Sequence, residues 1–258
     1  MGISYDETIK IAQKFAEELT ERYKDKILAV FVIGSLGSDY YRPGQSDIDT
    51  VVITAYDRNE VSAIDEEIGV IADRYWKNYD IPKGFGAIVF AEEQLYPPYI
   101  AKEELILEIL RLITQSKLIY GYYDIKKIPM PDKQAIIDNE NAFEDWIDGE
   151  REKNSTQNEE EPLQTIFSEL DRQVFINSVL WHLKRYLMIK CDVIEFNKFK
   201  VIDLYLKYNP PIVNSEAFDI INKALHNGYE IITDEQMPDL LEWRDNFRIQ
   251  MVKLVLNR

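Results

Sequence analysis

Apolar residues recur at helical spacing from the start of the chain. Ile11, Ala12, Phe15, Ala16, Leu19 and Tyr23 share one face, behind Ser4 and Glu7 in the Ser-x-x-Glu order of a capping box. This pattern predicts an amphipathic helix that leads into an apolar strand over 27–33. A polar loop over 36–46, with Arg42, Pro43 and Gly44, precedes a second strand over 48–54. Residues 60–78 read as a helix, with Ile64, Ile68, Ile71, Ala72 and Tyr75 on one face. Phe85–Phe90 reads as a third strand, 101–115 as a helix and 116–121 as a short fourth strand. The order helix, strand, strand, helix, strand predicts a mixed sheet with helices on one side.

The pattern changes near residue 148. The stretch 148–162 is polar, rich in Glu and without apolar period, and reads as a loop. Beyond it the chain turns helical. Ile166–Ile189 is long, aromatic and periodic, and shorter helices are expected over 198–208 and 215–227, separated by Pro210-Pro211. Residues 235–256 close the chain as a helix with Pro238 in its first turn. The fold class read from this succession is α+β: a sheet domain over 1–147, a polar acidic loop over 148–162 and an α-helical bundle domain over 163–258.

Charge narrows the partners. The 258 residues carry a formal net charge of −16, which argues against nucleic acid or anionic lipid as the main partner. It suits a cationic small molecule as well as a simply solvated surface. Cys191 is the single cysteine, so no internal disulfide and no cysteine metal cluster is expected. The chain shows no membrane-length apolar run and no basic segment followed by an apolar one near Met1, and a cytoplasmic location is the expectation. Oligomeric state is left as monomer or homodimer.

The chemistry concentrates between Phe31 and Ile53. The first strand runs into Gly34-Ser35, residues 36–46 follow, and Asp47-Ile48-Asp49 opens the second strand. Residues two apart on a strand point to the same face. Two carboxylates so placed repel unless a proton or cation lies between them, and a hard divalent ion shared with substrate phosphates meets that need. Gly34 lets backbone approach phosphate oxygens closely, and Ser35 offers them a hydroxyl and an N–H.

This arrangement resembles the signature of the nucleotidyltransferase superfamily, which reads Gly-Ser, a gap of about ten residues, then Asp-x-Asp. Across most of the chain it is similar to bacterial aminoglycoside adenylyltransferases. Besides Gly34-Ser35 and Ser46-Asp47-Ile48-Asp49, the likeness rests on Ala87–Pro97, on Ser116–Gly121 with Ile128–Pro131, and on Asn177–Arg185 with Asn197–Asp203. The resemblance implies an N-terminal nucleotidyltransferase-type mixed sheet with flanking helices and a C-terminal helical bundle. It further implies transfer of AMP from ATP to a hydroxyl of a small polar, aminoglycoside-like acceptor. By the same resemblance Asp47 and Asp49 would hold Mg²⁺, and Gly34 and Ser35 would cradle the β- and γ-phosphates. Ser46 would add a hydroxyl, and Lys198, with Lys200 as a competitor, would reach the nucleotide phosphates.

One departure stands out. The superfamily places a third carboxylate on the next core strand, where this chain has Phe85 and Gly86. Asp80, Glu92 and Glu93 flank that strand, and Glu169 and Asp171 of the helical half are the preferred candidates for a catalytic base. A water-mediated base, or loss of turnover that leaves a nucleotide-binding or antitoxin-like regulatory protein, are the alternatives. His182 is expected to be packed on its helix and His226 to sit near a helix end. Tyr40 and Tyr41 are placed either against a base or sugar ring or in ordinary loop packing. Trp146, Tyr122 and Tyr123 are expected to border an acceptor pocket. Asp148, Glu150, Glu159, Glu160 and Glu161 would favour a cationic acceptor.

Overall fold

The structure, a computed structural model, describes residues 3–38, 40–44, 46–81, 83–100, 105–155 and 166–257, and of residues 150–155 only the helical backbone. Two compact units divide the chain, Met1–Asn139 and Glu140–Arg258.

The first unit opens with α1, Tyr5–Tyr23, whose N-cap Ser4 closes the expected capping box with Glu7. Four strands follow, β1 (Ile27–Ile33), β2 (Ile48–Thr54), β3 (Phe85–Ala91) and β4 (Lys117–Gly121), in the sheet order β3-β2-β1-β4. The β1–β2 and β1–β4 pairs are antiparallel and the β2–β3 pair is parallel. Three helices connect these strands: the single turn α2 (Gly34–Gly37), α3 (Arg58–Tyr79) and α4 (Ile106–Thr114). A parallel pair needs a crossover, and α3 supplies it. Asp57 caps α3 in a second capping box with Glu60, and Asp80 ends it in the left-handed conformation.

Both faces of the sheet are buried, which corrects the expectation of helices on one side. Val30, Val32, Ile48, Val52 and Val89 join Phe15 and Leu19 of α1 and Ile68 and Ile71 of α3 in one core. The alternate residues Phe31, Ile33, Val51 and Ile53 are equally buried on the other face, and α4 lies against β1. Strands covered on both faces read as continuous apolar runs, as Ile27–Ile33 does. Two buried threonines of β2 are satisfied without breaking the ladder: Thr50 Oγ1 donates to Gly86 O at 2.9 Å and Thr54 Oγ1 to Phe90 O at 3.1 Å.

A fifth helix, α5, spans Lys133–Ser155 and escaped the pattern reading. It also carries the first half of the expected loop 148–162 as helix, and residues 156–165 lie outside the described residues. The cause is chemical. Buried residues Ile136, Glu140 and Glu144 follow at spacings of four, so two positions of the buried stripe are carboxylates, not aliphatics. In the second unit Arg185 meets both: its Nε donates to Glu140 Oε2 and its Nη1 to Glu144 Oε1, each at 2.6 Å. Arg248 continues the network to Glu144 at 2.5 Å and to Asp148 at 2.7 Å.

The second unit is otherwise aromatic and helical. It contains α6 (Glu169–Cys191), α7 (Lys198–Lys207), α8 (Ser215–Asn227) and α9 (Met237–Leu256), with Pro238 in the first turn of α9. Phe218, Trp243 and Phe247 pack ring to ring, and Tyr205 lies edge-on to both Tyr186 and Phe218. Among the described residues no helix is long and apolar enough to cross a membrane.

Candidate nucleotide site

The antiparallel β1–β2 register pairs Ile33 with Asp49, so the chain leaves β1 at the point where β2 begins. Gly34, the next residue, has φ +63°, a conformation that L side chains rarely adopt. Space restricts it as well. A Cβ at Gly34 would lie 3.1 Å from Asp49 Oδ2 and 3.4 Å from Arg111 Nη2. The Gly-Ser turn is therefore pressed against the second aspartate. Ser35 Oγ is buried there without a hydrogen-bond partner. An orphaned hydroxyl beside a backbone that tolerates no side chain is what a phosphate oxygen would complete.

Asp49 is held between elements. Its side chain is 30% exposed, and its carboxylate lies 3.8 Å from the guanidinium of Arg111. Burial pushes its pKa up to about 7; the charge of Asp47 pushes the same way, and Arg111 opposes both. Asp47 directly precedes β2 and Asp49 is its second residue. Carboxylates are the hard oxygen donors that a divalent cation such as Mg²⁺ would take. Among the described residues no group of three His, Cys, Asp or Glu side chains gathers into a metal cluster. Ser46 closes the loop ahead of Asp47: its Oγ accepts from Arg42 N–H and its N–H donates to Arg42 O, both at 3.0 Å.

The parallel β2–β3 register puts Gly86 directly beside Asp49. A Cβ at Gly86 would lie 3.3 Å from Asp49 Oδ1, so this is the strand position facing the pair, and it carries no acid. Glu92 and Glu93 follow β3 at its far end, about 20 Å along the strand, which removes them as bases for this site. Glu93 instead accepts from Arg58 N–H at 2.8 Å. Asp80 is the cap residue that ends α3.

Sequence reasoning missed two residues on α4. Glu108 and Arg111, three apart and so on one side of the helix, form a bidentate contact at 3.0 and 3.1 Å. Arg111 also reaches Asp49, and the charge of Glu108 raises the Asp49 pKa further. The signal was present: α4 buries Ile106, Leu107, Ile109, Leu110 and Leu112, nearly its whole circumference. A charged pair on such a helix has to face something polar.

Asp171 is spent on the capping box of α6, accepting from Ser168 N–H and Oγ–H at 2.7 Å each. Glu169 occupies the exposed first turn of the same helix. Lys198 opens α7, with its Nζ 3.3 Å from Tyr229 Oη. His182 is buried beside Arg185, and His226 contacts Asn222 O at 2.9 Å. Tyr41 packs on α1, 2.7 Å from Thr8 Oγ1 and donating to Ile3 O at 3.0 Å. Tyr40 lies 3.5 Å from Gln115 Oε1. Trp146 is 61% exposed and stacks on Phe143, and Tyr122 is 86% exposed. Tyr123 shares a hydrogen bond with Tyr96 at 3.1 Å. The side chains of Glu150, Glu159, Glu160 and Glu161 lie outside the described residues.

Residues 12–126 match the family model described as the nucleotidyltransferase domain. The particular architecture extends further. Spectinomycin adenyltransferase AAD(9) from Enterococcus faecialis, solved with ATP and spectinomycin, shares the fold at a TM-score of 0.58 and 14% identity, over 92% of this chain and 97% of that chain. The α+β fold is thus common to both. A toxin–antitoxin structure with AMP-PNP aligns over 56% of this chain and 94% of that chain at 12% identity, with a TM-score of 0.27 that carries no weight for the architecture. No curated protein matches the chain.

Proposed function

We propose that this protein transfers AMP from ATP to a hydroxyl group of a small polar acceptor of the aminoglycoside type. The observation that carries the reading is the contact of the Gly34-Ser35 turn with Asp49, together with the orphaned Ser35 hydroxyl. Gly34 and Ser35 receive the β- and γ-phosphates, and Ser46 holds the loop that presents Asp47. Asp47 and Asp49 would hold Mg²⁺, which would supply neutralisation of phosphate charge. The acceptor oxygen forms a bond to the α-phosphorus, the bond from that phosphorus to pyrophosphate breaks, and the hydroxyl proton passes to a base. Lys198 is assigned to the nucleotide phosphates and Glu169 to the base. The protein works in the cytoplasm as a monomer or homodimer, and its charge of −16 favours a cationic acceptor over nucleic acid. The relative that shares the fold is named for ATP and spectinomycin, which supports the same acceptor class.

Asp47→Asn tests the assignment. It should abolish Mg²⁺-dependent binding of ATP, followed by isothermal titration, and pyrophosphate release with an acceptor panel, while the circular dichroism spectrum is unchanged. Wild-type binding and turnover in Asp47→Asn refute it. A second reading, a nucleotide-binding or regulatory protein without turnover, is favoured by Gly86 at the place beside Asp49. ATP binding with no pyrophosphate released on any acceptor selects it.

A further inference from the structure

The reading above leaves Arg111 unexplained. A guanidinium at 25% exposure sits where the metal-binding edge and the phosphate turn meet. It lies 3.8 Å from Asp49 Oδ2, and 3.4 Å separates its Nη2 from the Cβ position of Gly34. Its Nη1 is held by both oxygens of Glu108, which is 19% exposed. A structural counter-ion for Asp49 would need no second carboxylate. Arginine forks also match phosphate bidentately. The geometry is that of a cation with two carboxylates to rest on and an empty-handed serine hydroxyl within the same turn.

We propose that Arg111 is a phosphate-binding residue for the di- or triphosphate portion of the nucleotide, parked on Asp49 and Glu108 until a nucleotide arrives. This inference rests on the nucleotidyltransferase reading of the site. While Arg111 lies on Asp49 it competes with a divalent cation for that carboxylate. Once the cation holds Asp49, Nη2 is released toward Gly34-Ser35 and the phosphates, while Glu108 keeps its hold on Nη1. Arg111 therefore opposes the metal alone and assists the metal–nucleotide pair, a combination that a merely structural residue does not produce.

The test uses full-length wild type, Arg111→Gln, Arg111→Lys and Glu108→Gln. Mn²⁺ without nucleotide is titrated by electron paramagnetic resonance, and the α,β-methylene analogue of ATP with Mg²⁺, and AMP, by calorimetry. Arg111→Gln keeps much of the buried stem and should bind Mn²⁺ roughly 3- to 10-fold more tightly, since a cation competing for Asp49 is gone. It should bind the ATP analogue roughly 10- to 100-fold more weakly, as the loss of one charge-assisted hydrogen bond predicts, with AMP unchanged. Glu108→Gln should weaken Mn²⁺, because Arg111 then rests on Asp49 alone. Arg111→Lys should keep wild-type Mn²⁺ affinity and only part of the analogue affinity. Loss of both ligands together in Arg111→Gln and Arg111→Lys, with unaltered melting curves, overturns the proposal. So does wild-type binding of both ligands in Arg111→Gln, which leaves the parent reading intact. A wild-type protein that takes up neither Mn²⁺ nor the analogue overturns the parent reading and this inference with it.

Discussion

Asp49 should be a stability liability in the protein without a divalent ion, and Asp49→Asn should remove it. Its pKa of about 7 compares with an ordinary 3.8, and burial is the largest cause. The sign follows from proton linkage. The folded state holds a proton on Asp49 that the unfolded chain releases, so the contribution is complete below pH 3.8 and fades as pH rises toward 7. At about 1.4 kcal/mol per tenfold change in proton affinity, the whole effect is about 4 kcal/mol. With 30% of the side chain exposed, solvent screening reduces it to roughly 2 kcal/mol. Urea unfolding read by hydrogen exchange in peptides from residues 27–54 reports on the first unit. Between pH 5 and 8 the wild type without divalent ion should lose roughly 1 kcal/mol there, since part of the effect is already gone by pH 5, and Asp49→Asn should stay flat. Millimolar Mg²⁺ should restore the wild type at pH 8 and leave the variant unmoved. An Asp49→Asn protein less stable than wild type at pH 8, with no divalent ion present, refutes the reasoning.

Ser35→Ala removes a buried hydroxyl that has no partner, so the ligand-free protein should gain up to about 1 kcal/mol while ATP affinity falls roughly tenfold; thermal melting and calorimetry read the two effects. Gly86→Val places branched methyls against Asp49 Oδ1, where even a Cβ would come within 3.3 Å, and should weaken Mn²⁺ binding roughly tenfold with the sheet's circular dichroism kept. Arg185→Ala leaves Glu140 buried without its counter-ion and Glu144 with Arg248 alone, and should cost about 3–5 kcal/mol in urea at pH 8. That loss should shrink at pH 5, because burial raises the Glu140 pKa and a protonated acid needs no counter-ion.

The legible parts of this molecule are those in which side-chain periodicity and burial agree. The strands carrying Ile27–Ile33 and Ile48–Thr54, the capped helix after Ser4 and the Gly34-Ser35 turn all follow from local pattern. The helix at Lys133–Ser155 does not, because its buried stripe contains glutamates whose partner, Arg185, is 41 and 45 residues away. The same cause hid Glu108 and Arg111. A salt bridge of three-residue spacing reads as a surface feature until the apolar residues around it are seen to be buried. The position of Gly86 beside Asp49 needed the register of a parallel pair, which no short-range pattern encodes.

Ligands of open parallel sheets usually gather beyond the carboxyl ends of the strands. Here the parallel pair β2–β3 turns its amino ends, and β1 its outgoing end, toward the aspartates. The rim between Thr54 and Tyr56, a full strand length away, thereby becomes a place where a fused reporter or a grafted loop can be added without disturbing the chemistry.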